Sequence, residues 1–324
     1  MEGAPWRIFH TDEGDLVIDV DGRITVNGVT SVPFPSEISH AAMCDKGIVA
    51  TWVEHELRLA RMALLPTGVP IENGINKAEL RFNRNTAMVA SSTWCHIVDA
   101  EPLALTAKDD KIIFALWTRG IYCIDSSDNE IWRLPLFDEE LKSPPRSNDV
   151  TSIHIIEDKV YVWSRGGKYR IICLESGEIL DEKSLEIESD LEKIFSHSNR
   201  FLLSSKDGWA WEFENGEITV ARKLRGTIQD AVFDGEDWRI ISWREDIMLR
   251  GESITRDDLG VQILMKDGTW MAADNQSNTS PHMGYRFFSI TRSFRCNHTF
   301  RKICGLRELL GKRRVHNEGK TLIF

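Results

Sequence analysis

Residues 159–184 read KVYVWSRGGKYRIICLESGEILDEKS, and residues 200–223, RFLLSSKDGWAWEFENGEITVARK, repeat the same pattern. In each copy an apolar run ends in a polar turn, a second apolar run follows, and a Gly-containing turn leads into Glu-Ile. A third copy precedes them at residues 111–134. Short apolar runs separated by Gly- and Asn-containing turns are typical of antiparallel strands joined by hairpins. The stretch therefore predicts an all-β protein built from repeated sheets.

The distance between the copies indicates the architecture. Glu130, Glu178 and Glu217 hold equivalent places in three copies and lie 48 and then 39 residues apart. A period of about 40 residues made of short strands is the signature of a β-propeller blade. We therefore expect a β-propeller over residues 1–281 with seven four-stranded blades, six and eight being the alternatives. Further copies are predicted at 15–26, 47–60, 86–98 and 238–250, with a hairpin at 261–272 and a short surface helix at 184–195.

Residues 8–272, with these tandem copies, resemble the broad superfamily of quinoprotein-like and WD-type β-propellers. The resemblance departs from the WD family, because no Gly-His pair with a following Trp-Asp recurs in the copies. It implies the fold, and it carries over neither a cofactor nor a site residue.

Composition predicts a soluble, cytoplasmic protein. The chain is 42% hydrophobic, which is enough for a packed core. The first residues lack the basic start and apolar stretch of a signal peptide, and no apolar run approaches the roughly 20 residues of a membrane span. The six cysteines are scattered without a CxxC pair, as in proteins of a reducing compartment. No membrane association is expected.

Charge divides the chain into an acidic body and a basic C-terminal extension. Residues 282–324 hold ten Lys or Arg and two acids, net +8, which leaves −18 of the total −10 for residues 1–281. Basic and aromatic residues alternate there, a pattern that can bind single-stranded nucleic acid. The extension can equally dock on the acidic body or recruit a partner. Its candidate binding residues are Arg292, Arg295, Arg301, Lys302, Lys312, Arg313 and Arg314.

Aligning the copies places a cation at the first turn of four of them, with a tryptophan just before the turn in three. An arc of cations beside large aromatics could hold an anionic ligand or an acidic peptide. The alternative is a set of solvated turn charges with no specific role. The candidate residues are Arg119, Arg165, Lys206, Arg244, Trp117, Trp163 and Trp243.

Motifs for catalysis and for metal or cofactor binding are not found. The sequence contains neither a phosphate-binding GxxxxGK[ST] loop nor a GxSxG nucleophile elbow. Cys296, His298, Cys304 and His316 do not have the spacing of a zinc finger, so no metal site is predicted.

The sequence thus favours a non-catalytic propeller that acts as a scaffold for protein partners, without a cofactor. One alternative is an enzyme or small-ligand binder with its site at the mouth of the central channel. A second is a nucleic-acid-associated subunit that acts through the basic extension.

Overall fold

A computed structural model of the chain describes residues 3–11, 14–138 and 145–283. These residues form seven separate antiparallel sheets that follow one another along the chain. Six sheets have four strands in chain order, and the seventh has three strands within residues 260–281. The protein is therefore an all-β, seven-bladed propeller, as the repeat spacing predicts. No helix in the described part of the chain is long and apolar enough to cross a membrane.

The first four blades extend from residue 5 to residue 184. Blade 1 contains β1 (Pro5–Thr11), β2 (Gly14–Asp19), β3 (Ile24–Val26) and β4 (Val29–Ser31), and blade 2 contains β5 (Glu37–Cys44), β6 (Gly47–Glu54), β7 (Leu59–Pro66), the helix α1 (Lys77–Asn83) and β8 (Trp94–Val98). Blade 3 contains β9 (Pro102–Lys108), β10 (Lys111–Leu116), β11 (Gly120–Asp125) and β12 (Glu130–Leu134). Blade 4 contains β13 (Val150–Ile156), β14 (Lys159–Ser164), β15 (Lys168–Cys173) and β16 (Ile179–Ser184).

The remaining three blades end at residue 281. Their strands are, in blade 5, β17 (Leu191–His197), β18 (Arg200–Ser205), β19 (Trp209–Glu214) and β20 (Glu217–Lys223); in blade 6, β21 (Ile228–Phe233), β22 (Trp238–Ser242), β23 (Glu245–Met248) and β24 (Ser253–Thr255); and in blade 7, β25 (Gly260–Lys266), β26 (Thr269–Asp274) and β27 (Thr279–Pro281).

Local sequence explains why these hairpins form. In blade 5, Asn215 and Gly216 join β19 to β20 with φ angles of 54° and 91°. Asn and Gly are the residues that adopt such positive φ angles at least cost, and two in succession fit the tight turn of a hairpin. The second strands carry apolar residues on both faces because neighbouring blades cover both sides; in β10 every residue after Lys111 is buried.

The first strand of every blade faces the central channel and contains a β-bulge near its start. In each blade one residue of the first strand has no partner on the second strand. The alternation of side chains along the first strand is therefore shifted by one residue beyond the bulge. The skipped residues are Trp6, Ser39, Leu103, Thr151, Glu192, Gln229 and Val261. The residues that follow the bulge are Arg7, His40, Ala104, Ser152, Lys193, Asp230 and Gln262.

Apolar clusters join consecutive blades. Six clusters of buried side chains occur among the described residues, and they span the junctions 1–2, 2–3, 3–4, 4–5, 5–6 and 6–7. None of these clusters spans the junction between blades 7 and 1. There the side-chain amide of Gln262 accepts from the backbone N–H of Ile8 at 2.8 Å and donates to its carbonyl at 2.9 Å.

Blade 2 differs from the prediction. The predicted copy at residues 86–98 is not a blade, because 94–98 forms the fourth strand of blade 2 and residues 67–93 form an insertion before it. Helix α1 lies in this insertion and buries Leu80 against blades 1 and 2. The hairpin at 261–272 is the seventh blade itself. The number of blades is confirmed. The copy predicted at 86–98 is wrong, and the hairpin at 261–272, expected to supply outer strands or part of an eighth blade, completes the seven.

A fully buried arginine holds the insertion. The Arg61 guanidinium donates to the carbonyl oxygens of Ala87 at 3.0 Å, Arg84 at 2.6 Å and Ala60 at 2.9 Å. Carbonyl oxygens can satisfy the donors of a buried guanidinium when no carboxylate is at hand. The insertion is therefore part of the folded body.

Candidate interaction face and central channel

The four predicted cations lie on one face of the propeller. Arg119, Arg165, Lys206 and Arg244 lie in or beside the turns that join the second and third strands of blades 3, 4, 5 and 6. In an antiparallel sheet of this order, these turns lie at the end where the first strand begins. We call this end, with its turns 117–119, 165–167, 206–208 and 243–244 and the connections between blades, the turn face.

Two of these cations already have partners in the described chain. Arg119 pairs with Asp99 at 2.7 Å, and both side chains are at least half exposed. The Arg244 guanidinium donates to the carbonyl oxygen of Asp257. Lys206 is exposed at its turn and next to Asp207. An exposed ion pair adds little to stability and can exchange partners, so these groups remain available to a ligand that offers better geometry.

The three tryptophans have different surroundings. Trp117 is 44% exposed and Trp243 is 60% exposed, both at the turn face. The Arg146 guanidinium lies 6.0 Å from the centre of the Trp117 ring. Trp163 is fully buried and stacks on Tyr169 with 4.6 Å between ring centres. Trp163 is therefore a core residue of the junction between blades 4 and 5 and does not face solvent.

A cavity of about 920 Å³ lies along the first strands and reaches the turn face at Trp243, Leu259 and Asn275. This cavity is the part of the central channel that opens at the turn face. The spacing of the repeats predicts such a channel, but its side chains come from all seven blades, and among the predicted site residues that the structure describes Trp243 alone lines the cavity.

Two histidines in the channel are held neutral. Burial lowers the pKa of both His40 and His154 to about 4, although a backbone hydrogen bond opposes the effect in each case. Within hydrogen-bond distance of the His154 ring nitrogens lie Ser152 Oγ at 2.8 Å and Ser196 Oγ at 3.0 Å. The backbone bonds are to Leu103 and Ile194 of the next blade. Both imidazoles therefore connect neighbouring blades.

Other residues near the bulges also bond to the next blade. Lys193 Nζ donates to the carbonyl oxygen of Gln229 at 3.1 Å. The Asp230 carboxylate accepts from the backbone N–H of Ile263 at 2.7 Å. Burial lowers the pKa of Lys193 and raises that of Asp230, and each group's charge partly offsets the effect on the other. The channel wall thus contains charged side chains that have few hydrogen-bond or ion-pair partners.

The basic residues of the predicted extension, from Arg292 to Arg314, lie outside the described residues. The described chain ends with His282 and Met283 against blade 6. The backbone N–H of Met283 donates to Asp246 Oδ2 at 2.9 Å, and Arg256 forms an ion pair with the same oxygen at 2.9 Å. Burial lowers the pKa of His282.

Comparison with known proteins supports the fold. No protein-family model matches the sequence, and no curated protein does. The β-propeller domain of Cps50 (Swd1) from Myceliophteria thermophila is similar in structure, with a TM-score of 0.61 at 10% identity over 86% of this chain and 95% of that one. BamB from Moraxella catarrhalis gives 0.55 at 10% identity over 85% and 92%. The WD40 propeller domain of Doa1 gives 0.55 at 10% identity over 86% and 92%.

At this level of identity the likenesses show the fold alone. Together with the seven sheets, they show that the chain has the β-propeller fold also found in the WD40 and BamB propellers. The propeller fold that the sequence-based resemblance implies is confirmed, and a specific function does not follow from it.

Proposed function

We propose that this protein is a non-catalytic propeller that binds a protein partner through its turn face. The observation that carries the proposal is the exposure of two tryptophans on that face, Trp117 and Trp243, each with an arginine beside it. Tryptophan and arginine are the residues most often responsible for affinity at protein interfaces. Loops presented by a rigid scaffold are also the usual location of binding residues.

The cations of blades 3 to 6 form the second part of the proposal. Because their turns lie on four consecutive blades, they border one continuous arc of the turn face. Arg119 and Arg244 would exchange their present partners for acidic groups of the partner protein. We expect them to affect the rate of association and its salt dependence more than the affinity.

The histidines of the channel favour binding over catalysis. A general base works best when its pKa lies near the working pH. With pKa values of about 4, His40 and His154 are weak bases at neutral pH. Nucleic-acid binding through the basic extension stays a prediction, and it would give an affinity that falls steeply with salt.

The test is quantitative capture from native lysate with three forms of the full chain. These are the natural sequence, a Trp117→Ala/Trp243→Ala double variant, and a control with Val29→Ala and Ile218→Ala, two exposed residues at the starts of fourth strands. We expect the partner to be retained by the natural and control proteins and reduced at least about tenfold by the tryptophan variant. A partner retained equally by all three would place the interface elsewhere and overturn the proposal.

A second variant tests the arc. Arg119→Glu, Arg165→Glu, Lys206→Glu and Arg244→Glu are combined, and binding of the partner is measured at two salt concentrations. We expect slower association and a weaker dependence on salt. Unchanged association in a folded variant would make these residues solvated turn charges.

A further inference from the structure

The central channel has two chemically different walls. Blades 2 and 3 line it mostly with small and apolar side chains, among them Ala42, Met43 and Leu105, and His40 is a polar residue in this wall. Blades 1, 5 and 6 line it with Arg7, Lys193 and Asp230. A cavity with one apolar wall and a few converging polar groups is the usual form of a small-molecule site.

The cations of the charged wall have spare hydrogen-bond donors. Within the described parts of the chain, the Arg7 guanidinium has no hydrogen bond or ion pair, and its contact is with the Phe9 ring at 5.9 Å. Lys193 Nζ donates to one carbonyl oxygen, that of Gln229. Arginine has five N–H donors and lysine three, so most of the donors in this wall remain free.

The acids of the same wall do not neutralise these cations through a contact. The Asp230 carboxylate already accepts from the backbone N–H of Ile263 in blade 7. Glu192 lies in the wall as well, and its Oε2 atom is buried without a hydrogen-bond partner among the described residues. No ion pair within the described chain joins either acid to Arg7 or Lys193.

The charged groups are close enough to act on one another. Burial lowers the pKa of Lys193, the charges of Asp230 and Glu192 raise it, and the charge of Arg7 lowers it further. Burial raises the pKa of Asp230, and the charges of Arg7 and Lys193 oppose that rise. Arg7 comes from blade 1, Lys193 from blade 5 and Asp230 from blade 6, so that groups from different blades converge on one region. The wall therefore combines two cations that keep free donors with two acids that no ion pair in the described chain joins to them.

We propose that the channel binds a small organic carboxylate with an apolar body, its carboxylate held by Arg7 and Lys193 and its body lying against Ala42, Met43 and Leu105. Arginine suits this role because its planar fork can donate two parallel hydrogen bonds to one carboxylate. The cavity of about 920 Å³ is large enough for such a molecule, since ligand pockets of about 300–1,000 Å³ are usual. The residues proposed to hold the carboxylate differ from those proposed to bind the partner, and Trp243 of the turn face borders the same cavity.

The test uses the full chain and 3-phenylpropanoate as probe, with 3-phenylpropanamide as its neutral counterpart, followed by ligand-observed NMR and calorimetry. We expect saturable binding of the carboxylate and at least about tenfold weaker binding of the amide, because hydrogen bonds to a charged group are the stronger ones. Equal binding of both, or no saturable carboxylate binding up to roughly 10 mM, overturns the proposal, since even a small ligand in a matched site exceeds that affinity.

Substitutions locate the site. Arg7→Gln and Lys193→Gln should each weaken the carboxylate about tenfold. The control is Lys266→Gln, which removes an exposed cation at the far end of the first strand of blade 7, outside the cavity. The control should bind as the natural protein does. If Arg7→Gln and Lys193→Gln also bind unchanged while keeping the thermal midpoint, the carboxylate does not bind in the channel and the proposal fails.

Discussion

At the junction between blades 4 and 5, Trp163, Tyr169, Phe201 and Phe213 pack ring against ring, with 4.6 to 5.4 Å between the centres of Trp163 and the other three. At the junction between blades 7 and 1, the described chain instead has two hydrogen bonds between Gln262 and the backbone of Ile8. The first junction joins blades that are neighbours in sequence. The second joins residues 254 positions apart.

The difference indicates which junction between blades is the most stable and which is the least stable. A buried aromatic side chain contributes several kcal/mol, whereas a hydrogen bond contributes about 1 kcal/mol net. Closing the ring also requires ordering the whole chain between blade 1 and blade 7. The closing junction is therefore expected to open before the others, and the following predictions test that contrast from the largest expected effect to the smallest.

Trp163→Ala should break the strong junction. Truncation of a fully buried aromatic leaves a cavity, so we expect the free energy of unfolding to fall by about 3–5 kcal/mol. Equilibrium unfolding in urea measures the change. Trp243→Ala is the matched control, since that side chain is 60% exposed and should cost less than about 1 kcal/mol. Similar losses for the two variants would contradict the assignment of Trp163 to the core.

Glu212→Gln should weaken the junction between blades 5 and 6. The Glu212 carboxylate is fully buried and pairs with Arg250 of blade 6 at 2.6 Å and with Arg200 at 3.3 Å. Without the Glu212 charge, Arg250 keeps its pair with Asp237 and Arg200 its pair with Glu214, and both arginines are partly exposed, so we expect a loss of about 2 kcal/mol in urea unfolding. Glu217→Gln, on the exposed fourth strand of blade 5, serves as control. A loss below about 1 kcal/mol would show that water reaches the Glu212 pair.

Acid should weaken the junctions that His40 and His154 bridge. The folded protein keeps both imidazoles neutral down to about pH 4, while the unfolded chain protonates them near pH 6.5. Between these values the unfolded state binds more protons, so the free energy of unfolding falls as the pH drops.

Allowing for solvent in the channel, we expect a loss of about 2 kcal/mol between pH 7 and pH 5. Unfolding curves at several pH values measure it. In a His40→Gln/His154→Gln variant the loss over this window should shrink. An unchanged loss in that variant would assign the pH dependence to other groups.

Gln262→Ala should affect the weak junction alone. The loss of two hydrogen bonds is expected to lower global stability by about 1–2 kcal/mol. Hydrogen exchange is the more direct measurement, because the amide of Ile8 should lose protection while amides of β18 keep theirs. Gln276→Ala, at an exposed turn of the same blade, should leave the Ile8 amide protected. Equal loss of protection throughout the ring would mean that all junctions open together.

Much of the fold could be predicted from the sequence, because blades 3 to 6 have short turns and strands of similar length. The prediction placed a copy at 86–98 because the alternating apolar residues there look like strands. Ala87 and Val89 are instead buried by the insertion of blade 2. A signal for this was present: Asn76 and Glu79 form a capping box at the start of α1. The predicted helix at 184–195 overlaps the first strand of blade 5, β17.

The channel residues could not be predicted in the same way. Lys193 and Asp230 look like surface charges in a sequence, since polar residues at intervals are usual on exposed faces. Their proximity depends on the packing of blade 5 against blade 6, and the bulge before each of them shifts the alternation by one residue. The turn residues were easier, because Arg119 and Lys206 occupy turns that the pattern itself defines. Among the residues beside these turns, Trp163 is buried because blade 5 packs against it, and the sequence of its own turn does not show this.

The bulge repeated in all seven first strands has a consequence for how such a protein can change. In six of the seven blades the residue after the bulge lines the channel cavity. Single substitutions at these six positions can therefore alter the chemistry of the channel one blade at a time. Blade 3 is the exception, because Ala104 is buried in the core between blades 3 and 4, and a polar group introduced there would have to be buried in that core.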